Sequence, residues 1–261
     1  SRSELLVQFA YFSANPNKIT MILIAVATSI GGVGIPLLTE NYVKGDLKAT
    51  ARLVQDNLSM LLFFILPATI GSVLVAEPLY TVFYGKPDSL ALGLFIFAML
   101  QTIILSIYTV LAPMIQALFQ NRKAIIYFLY GVAVKLILQI PLIYLFKAYG
   151  TLLATTIGLI IPIVLMYQEI RKVTGLNPRN LKKRTILTCI LTVLMTLVVL
   201  ISEFIIGYFF QPSGRISSFI YLAIIGGIGV AVYGGFSLSV RLLDRFIGER
   251  AASLRRTFHI K

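Results

Sequence analysis

Seven apolar runs of about 20 residues, joined by short polar links, dominate this chain of 261 residues and leave it few ways to fold. A helix rises about 1.5 Å per residue, so each run is long enough to cross a hydrocarbon layer of roughly 30 Å. In such a layer every backbone N–H and C=O needs an internal partner, which leaves helices or closed barrels, and runs this long are helical. The runs fall at residues 19–38, 53–76, 90–118, 124–146, 151–167, 185–210 and 216–243. The expected fold is an all-α integral membrane protein with seven transmembrane helices. A composition of 58% hydrophobic and 13% charged residues, with a mean hydropathy of +0.90, excludes an ordinary soluble domain.

Charge sets the orientation. Of the 23 Lys and Arg residues, seventeen fall on one side when the links are alternated, among them Lys44, Arg122, Lys123, Arg171, Arg184 and Arg241. Lys86, Lys147 and Arg215 fall on the other. That bias places the C-terminus in the cytoplasm and residue 1 outside. It also explains the net charge of +13 without nucleic acid as a partner. Residues 1–18 then read as an extracytoplasmic loop or the end of a preceding element, and 19–171 as five spans. Residues 172–184 read as a basic cytoplasmic loop, 185–247 as a final helix pair, and 248–261 as a basic cytoplasmic tail. The opening Ser1-Arg2-Ser3, with neither an initiator Met nor a signal peptide, reads as an excerpt from a longer chain with an even number of spans. A single cysteine, Cys189, and a single histidine, His259, give no disulfide framework, no metal site and no histidine cluster for catalysis. No catalytic residue, metal or cofactor is expected.

Within the spans, Lys135 is the costliest residue. It lies eleven positions from either end of 124–146, about 16 Å from each, too far for its stem to reach the interface. An ionisable group at that depth costs at least about 2.5–3.5 kcal/mol on insertion scales, so it faces a wet cavity or a partner and marks a pathway, or is held by backbone carbonyls for packing alone. Gln139 follows one turn later, and Gly131 leaves room one turn earlier. In the third span Thr102, Ser106, Thr109, Pro113, Gln116 and Gln120 recur at helical spacing on one face, pointing to a hydrated cavity. The fifth span repeats the pattern with Thr151, Thr155, Gly158 and Pro162, and the first carries Ala25, Thr28, Gly32 and Pro36; small and hydroxylated faces also serve ordinary helix packing. Pro67, Pro113, Pro141 and Pro162 each remove a helical hydrogen bond, as in the broken helices that line transporter cavities. Glu203, near the outer end of the sixth span, reads as an interfacial anchor. Gly226-Gly227-Ile228-Gly229 through Gly234-Gly235 reads as a close-packing face.

Several of these segments resemble one family. Ile65-Leu66-Pro67-Ala68-Thr69-Ile70-Gly71, with Glu77-Pro78-Leu79-Tyr80 and Phe83-Tyr84-Gly85, is similar to the ninth helix and following outer loop of MurJ-type lipid II flippases. Val26-Ala27-Thr28-Ser29 to Pro36-Leu37-Leu38 resembles their eighth helix. Ala112-Pro113 to Asn121-Arg122-Lys123 resembles the end of their tenth, and Tyr149-Gly150-Thr151 to Arg171-Lys172 their twelfth. The resemblance covers nearly the whole chain and points to the Gram-positive YtgP branch of polysaccharide biosynthesis proteins, in the multidrug/oligosaccharidyl-lipid/polysaccharide (MATE-like) exporter superfamily. It implies that the seven spans are helices 8 to 14 of a fourteen-helix transporter in the bacterial cytoplasmic membrane. Such a protein moves an undecaprenyl-pyrophosphate-linked sugar precursor by alternating access, and its last two helices form a groove for the lipid tail.

The resemblance also implies roles for particular residues. Asn17 and Lys18 match a cationic headgroup site near the start of the eighth helix, where lysine in place of arginine keeps point-charge attraction and loses bidentate recognition. Gln139 falls near an Asn that binds sodium in some members, in a span that here lacks any carboxylate. Lys135 then either substitutes for a coupling cation or contacts the pyrophosphate directly, with Gln116 a further substrate contact. The coupling ion, sodium or proton, stays open. The implied partners are a lipid-linked oligosaccharide, the bilayer and a missing N-terminal half. Sibling readings are a capsule or exopolysaccharide flippase and a cation-coupled exporter. A membrane-embedded glycosyl- or phosphotransferase would need clustered acidic or histidine residues, and a seven-helix receptor would share only the orientation.

Overall fold

The structure, a computed structural model, describes residues 15–210, 212 and 214–239. Most of the expected outer segment 1–18, the end of the last span past Ser239, and the basic tail 248–261 lie outside the described residues, as does the Asn17 side chain. Among the described residues there are nine helices and no strand: α1 Asn15–Gly32, α2 Ile35–Val43, α3 Leu47–Leu74, α4 Ala76–Tyr84, α5 Ser89–Ala117, α6 Asn121–Phe146, α7 Ala148–Thr174, α8 Pro178–Phe209 and α9 Arg215–Ser239. Together they supply seven segments long and apolar enough to cross a membrane, the first being α1 and α2 combined as Lys18–Val43.

The helix ends follow local chemistry. The Asp88 carboxylate accepts the Ala91 N–H at 2.7 Å and caps α5. Gly175, at φ +67°, closes α7 in the left-handed conformation that a Cβ would disfavour. α8 begins three residues later, so the expected loop 172–184 shrinks to a link at 175–177 flanked by helix. The prolines also behave differently from expectation, because α3, α5, α6 and α7 run through Pro67, Pro113, Pro141 and Pro162 without interruption. The first span breaks instead at Val33-Gly34, where a Cβ on Gly34 would lie 2.2 Å from the Asn57 amide nitrogen. The Asn57 side chain fills the space beside Gly34, so a larger residue there would have to displace it.

The chain divides into two compact units. The first comprises Ser1–Ile65 and Asp88–Arg184, with α5 at its centre against α1, α2, α6 and α7. Its core holds Leu38, Leu61, Leu111, Met114, Ile115, Leu118 and Ile170, all buried. The second comprises Leu66–Pro87 and Thr185–Lys261, in which α4 packs on α9. The last third of α3, from Leu66, and all of α4 thus join the final helix pair. In that unit the glycine-rich run of α9 is not a tight seam. A Cβ on Gly226, Gly227 or Gly234 would meet nothing within 4 Å, and only one on Gly229 would touch a neighbour, Val199, at 3.4 Å.

Candidate functional site

The closest helix pairing is the α6–α7 hairpin, turned on Lys147 alone. A Cβ on Gly150 would lie 2.1 Å from the Leu142 carbonyl oxygen, one on Gly131 would lie 2.4 Å from the Gly158 oxygen, and one on Gly158 would lie 2.8 Å from the Lys135 Cβ. The sequence places a missing side chain at each crossing point, and backbones meet where side chains would otherwise hold them apart.

This contact creates a cavity of about 140 Å³ lined by Phe128, Gly131, Val132 and Lys135 from α6 and by Thr155, Gly158, Leu159 and Pro162 from α7. Lys135 is half-buried there and has no hydrogen-bond or ion-pair partner among the described residues. Two acceptors lie on the opposite wall. Pro162 has no N–H, so the Gly158 carbonyl loses its helical donor four residues on and keeps its lone pairs for another group. Thr155 Oγ1 donates to the Thr151 carbonyl at 2.9 Å, which leaves its own oxygen able to accept. No carboxylate lines the cavity. The lining therefore brings one lysine together with neutral oxygen-bearing residues and no carboxylate, with no hydrogen bond between them.

The remaining expected site residues lie elsewhere. Gln139 is half-buried one turn along α6 from Lys135 but does not line the cavity, and Lys18 is exposed at the start of α1. None of the α5 stripe lines it either. Thr102 and Ser106 are fully buried, Thr109, Pro113 and Gln120 are half-buried, and Gln116 is exposed, so the stripe does not form one wet face in this chain. Two of its hydroxyls turn back on their own helix, Thr102 to the Ala98 carbonyl at 3.1 Å and Thr109 to that of Ser106 at 2.9 Å. Ser106 Oγ is buried without a partner. Thr151 is half-buried on α7 and joins the site only as the acceptor for Thr155.

Sequence reasoning passed over four polar links. One residue off the α5 stripe, the Gln101 amide donates to the Leu152 carbonyl and to Thr156 Oγ1, both at 3.1 Å, and ties α5 to α7. At the end of the bundle assigned to the cytoplasm, Lys123 Nζ donates to the buried Glu169 carboxylate at 2.6 Å, and the Tyr127 hydroxyl donates to its other oxygen at 3.2 Å. Nearby Arg184 pairs with Asp56, and the Gln55 amide donates to the Asn177 carbonyl at 2.8 Å. The available signal was a lone carboxylate at the inner end of an apolar run, Asp56 just within one and Glu169 just past another. In the second unit Glu203 and Glu77 line a larger cavity of about 430 Å³ with Tyr221 and Ser218, so Glu203 faces a pocket as well as an end of its helix. Two carboxylates make that cavity unsuited to a phosphate headgroup.

Residues 14–223 match the sequence profile of the family described as "Lipid II flippase MurJ". The chain is 30% identical over 237 residues to a protein named "Lipid II flippase MurJ" from Bacillus subtilis (strain 168), covering 89% of this chain and 44% of that one. Its fold matches a solved structure titled "Lipid II flippase MurJ, inward closed conformation" with a TM-score of 0.70 at 20% identity, covering 90% of this chain and 48% of that one. The chain thus spans about half the length of the relatives it matches.

Proposed function

Since the chain belongs to the lipid II flippase MurJ family, we propose that it forms the C-terminal lobe, helices 8 to 14, of a transporter in the bacterial cytoplasmic membrane. Its cargo is an undecaprenyl-pyrophosphate-linked cell-wall precursor, moved across the bilayer by alternating access. The other lobe supplies the rest of the binding cavity, and the C-terminus lies in the cytoplasm, where the basic links gather.

The observation that carries the mechanism is the α6–α7 cavity. Sites for drug-sized ligands occupy roughly 300–1,000 Å³, so a cavity of about 140 Å³ holds an ammonium and a few waters but not a sugar-pyrophosphate headgroup. This favours Lys135 as a fixed cation. Its charge shares the cavity with Thr155 and with Gly158, whose carbonyl Pro162 frees, and would stand in place of an exchangeable ion. Lys18 and Gln116 are both exposed, which supports them as contacts for the cargo or the other lobe.

Two measurements test the reading. Depleting the complete protein in its native host is expected to accumulate lipid-linked peptidoglycan precursor on the inner leaflet; loss of capsule alone with a normal wall would assign the cargo to an exopolysaccharide repeat instead. In reconstituted vesicles Lys135→Met is expected to slow transport at least tenfold or make it newly responsive to sodium. Full activity with unchanged ion dependence would sink the fixed-cation role and leave Lys135 a packing residue.

A further inference from the structure

A second cavity in the first unit, about 350 Å³ in volume, opens between α3, α5, α7 and the start of α8 at the end of the bundle where the basic links gather. Its walls are apolar: Leu58 and Leu62 from α3, Ile107 and Leu111 from α5, Ile163 from α7 and Leu181 from α8. Its mouth is polar, formed by Tyr167, Gln168 and Arg171 on the same face of α7 as Ile163. From Ile163 to Arg171 is eight residues, so the charge sits about 12 Å along the axis from the apolar floor.

The charge around that mouth is uncompensated. Four described carboxylates lie at this end of the bundle, and none is paired with Arg171: Asp56 is engaged by Arg184, Glu169 by Lys123 and Tyr127, and Glu40 by Lys44, while Asp46 accepts the Ala49 N–H. Arg171, Arg179, Lys182 and Lys183 are exposed, and none has a carboxylate partner among the described residues. A soluble ligand would not need the apolar floor, and a neutral lipid would not need the arginine. Basic pockets between transmembrane helices on the cytoplasmic side suit the phosphate of an anionic lipid.

We propose that this cleft is a binding site for an anionic glycerophospholipid of the cytoplasmic leaflet, with one acyl chain against Leu58, Ile107 and Ile163 and its phosphate on the Arg171 guanidinium. The site is separate from the Lys135 cavity, shares no residue with it and does not depend on the identity of the cargo. It anchors four helices of the first unit to the leaflet that carries the negative surface charge.

Native mass spectrometry of the full-length protein, titrated with phosphatidylglycerol and with phosphatidylcholine of matched acyl chains, tests this. A single arginine near an anionic surface corresponds to about a fivefold preference. The wild type is expected to retain phosphatidylglycerol about fivefold more strongly than phosphatidylcholine, Arg171→Gln to lose that preference, and Arg171→Lys to recover most of it. Ile107→Trp, which fills the floor, is expected to reduce retention of both lipids. The proposal is overturned if Arg171→Gln leaves the ratio unchanged. It is equally overturned if undecaprenyl pyrophosphate at equimolar concentration displaces phosphatidylglycerol from the wild type and itself depends on Arg171, because the cleft then belongs to the cargo's tail.

Discussion

Gly131→Ala is the smallest change that tests whether α6 and α7 meet backbone to backbone. The new methyl carbon would fall 2.4 Å from the Gly158 carbonyl oxygen and 2.8 Å and 3.0 Å from Pro162 Cδ and Cγ. A carbon and a carbonyl oxygen in favourable contact sit about 3.3–3.6 Å apart, so the helices must separate by about 1 Å. Neither obstacle is a flexible side-chain tip that can swing away. Overpacking of this kind costs about 1–3 kcal/mol. A gap of 0.5–1 Å opened along the rest of the hairpin also forfeits roughly a quarter to a half of each dispersion contact it crosses. The expected loss is about 2 kcal/mol, a factor of about 30 in the folded-to-unfolded ratio. Reversible denaturant titration in mixed micelles would measure it, with Gly226→Ala as the control: a Cβ there meets nothing within 4 Å, and alanine is the better helix former. If Gly131→Ala proves as stable as the control, the close approach is wrong, and so is the shape of the cavity around Lys135.

The same titration checks two further changes. Lys147 turns the hairpin at φ 51°, ψ −126°, a region that suits glycine, so Lys147→Gly is expected to stabilise the protein by about 1 kcal/mol; a loss of stability would mean the turn is not strained. Glu169→Gln leaves Lys123 without its ion pair, and because that lysine is about half exposed and screened by solvent, the expected loss of stability is small, well below that of Gly131→Ala. The exchange Lys123→Glu with Glu169→Lys recovers part of that loss if the pair rather than either residue matters, and recovers nothing if Glu169 acts through Tyr127 alone.

How much the sequence discloses depends on what each signal measures. Length and hydropathy gave all seven spans, because crossing a bilayer is a demand on every residue of a run and no packing detail can override it. Glycine content misled for a related reason. The crowded run in α9 invited a close-packing reading, while the tightest contacts with backbone atoms lie at isolated Gly131, Gly150 and Gly158 in α6 and α7. A glycine permits close approach but does not compel it; only the partner helix decides, and its position is tertiary information. Prolines misled in the same direction. Four of them sit inside uninterrupted helices, and the first span breaks where Gly34 lets Asn57 come near. The polar stripe of α5 was sound as periodicity and wrong as a single environment, since one helix face runs from the buried centre of the bundle at Thr102 to its exposed end at Gln116.

Lys135 was legible as a cost, and the structure shows what shares that cost. A proline on the partner helix normally leaves an orphan carbonyl to be satisfied in hydrocarbon, and a central lysine leaves an orphan ammonium; each alone is expensive. Gly158, four residues before Pro162, lets α7 approach α6 at the level of Lys135, so all three residues line one small cavity. The pairing is a property of two helices and invisible in either, which is why spacing within 124–146 suggested Gln139 as the neighbour and passed over Gly158 and Pro162. In the role proposed for Lys135, two groups of opposite polarity, each costly to maintain alone, form a fixed-charge element whose loss on either side exposes the other. Pro162→Ala would restore the donor to Gly158 and strand the lysine. It is therefore expected to impair transport in the same direction as Lys135→Met while making α7 itself a better helix.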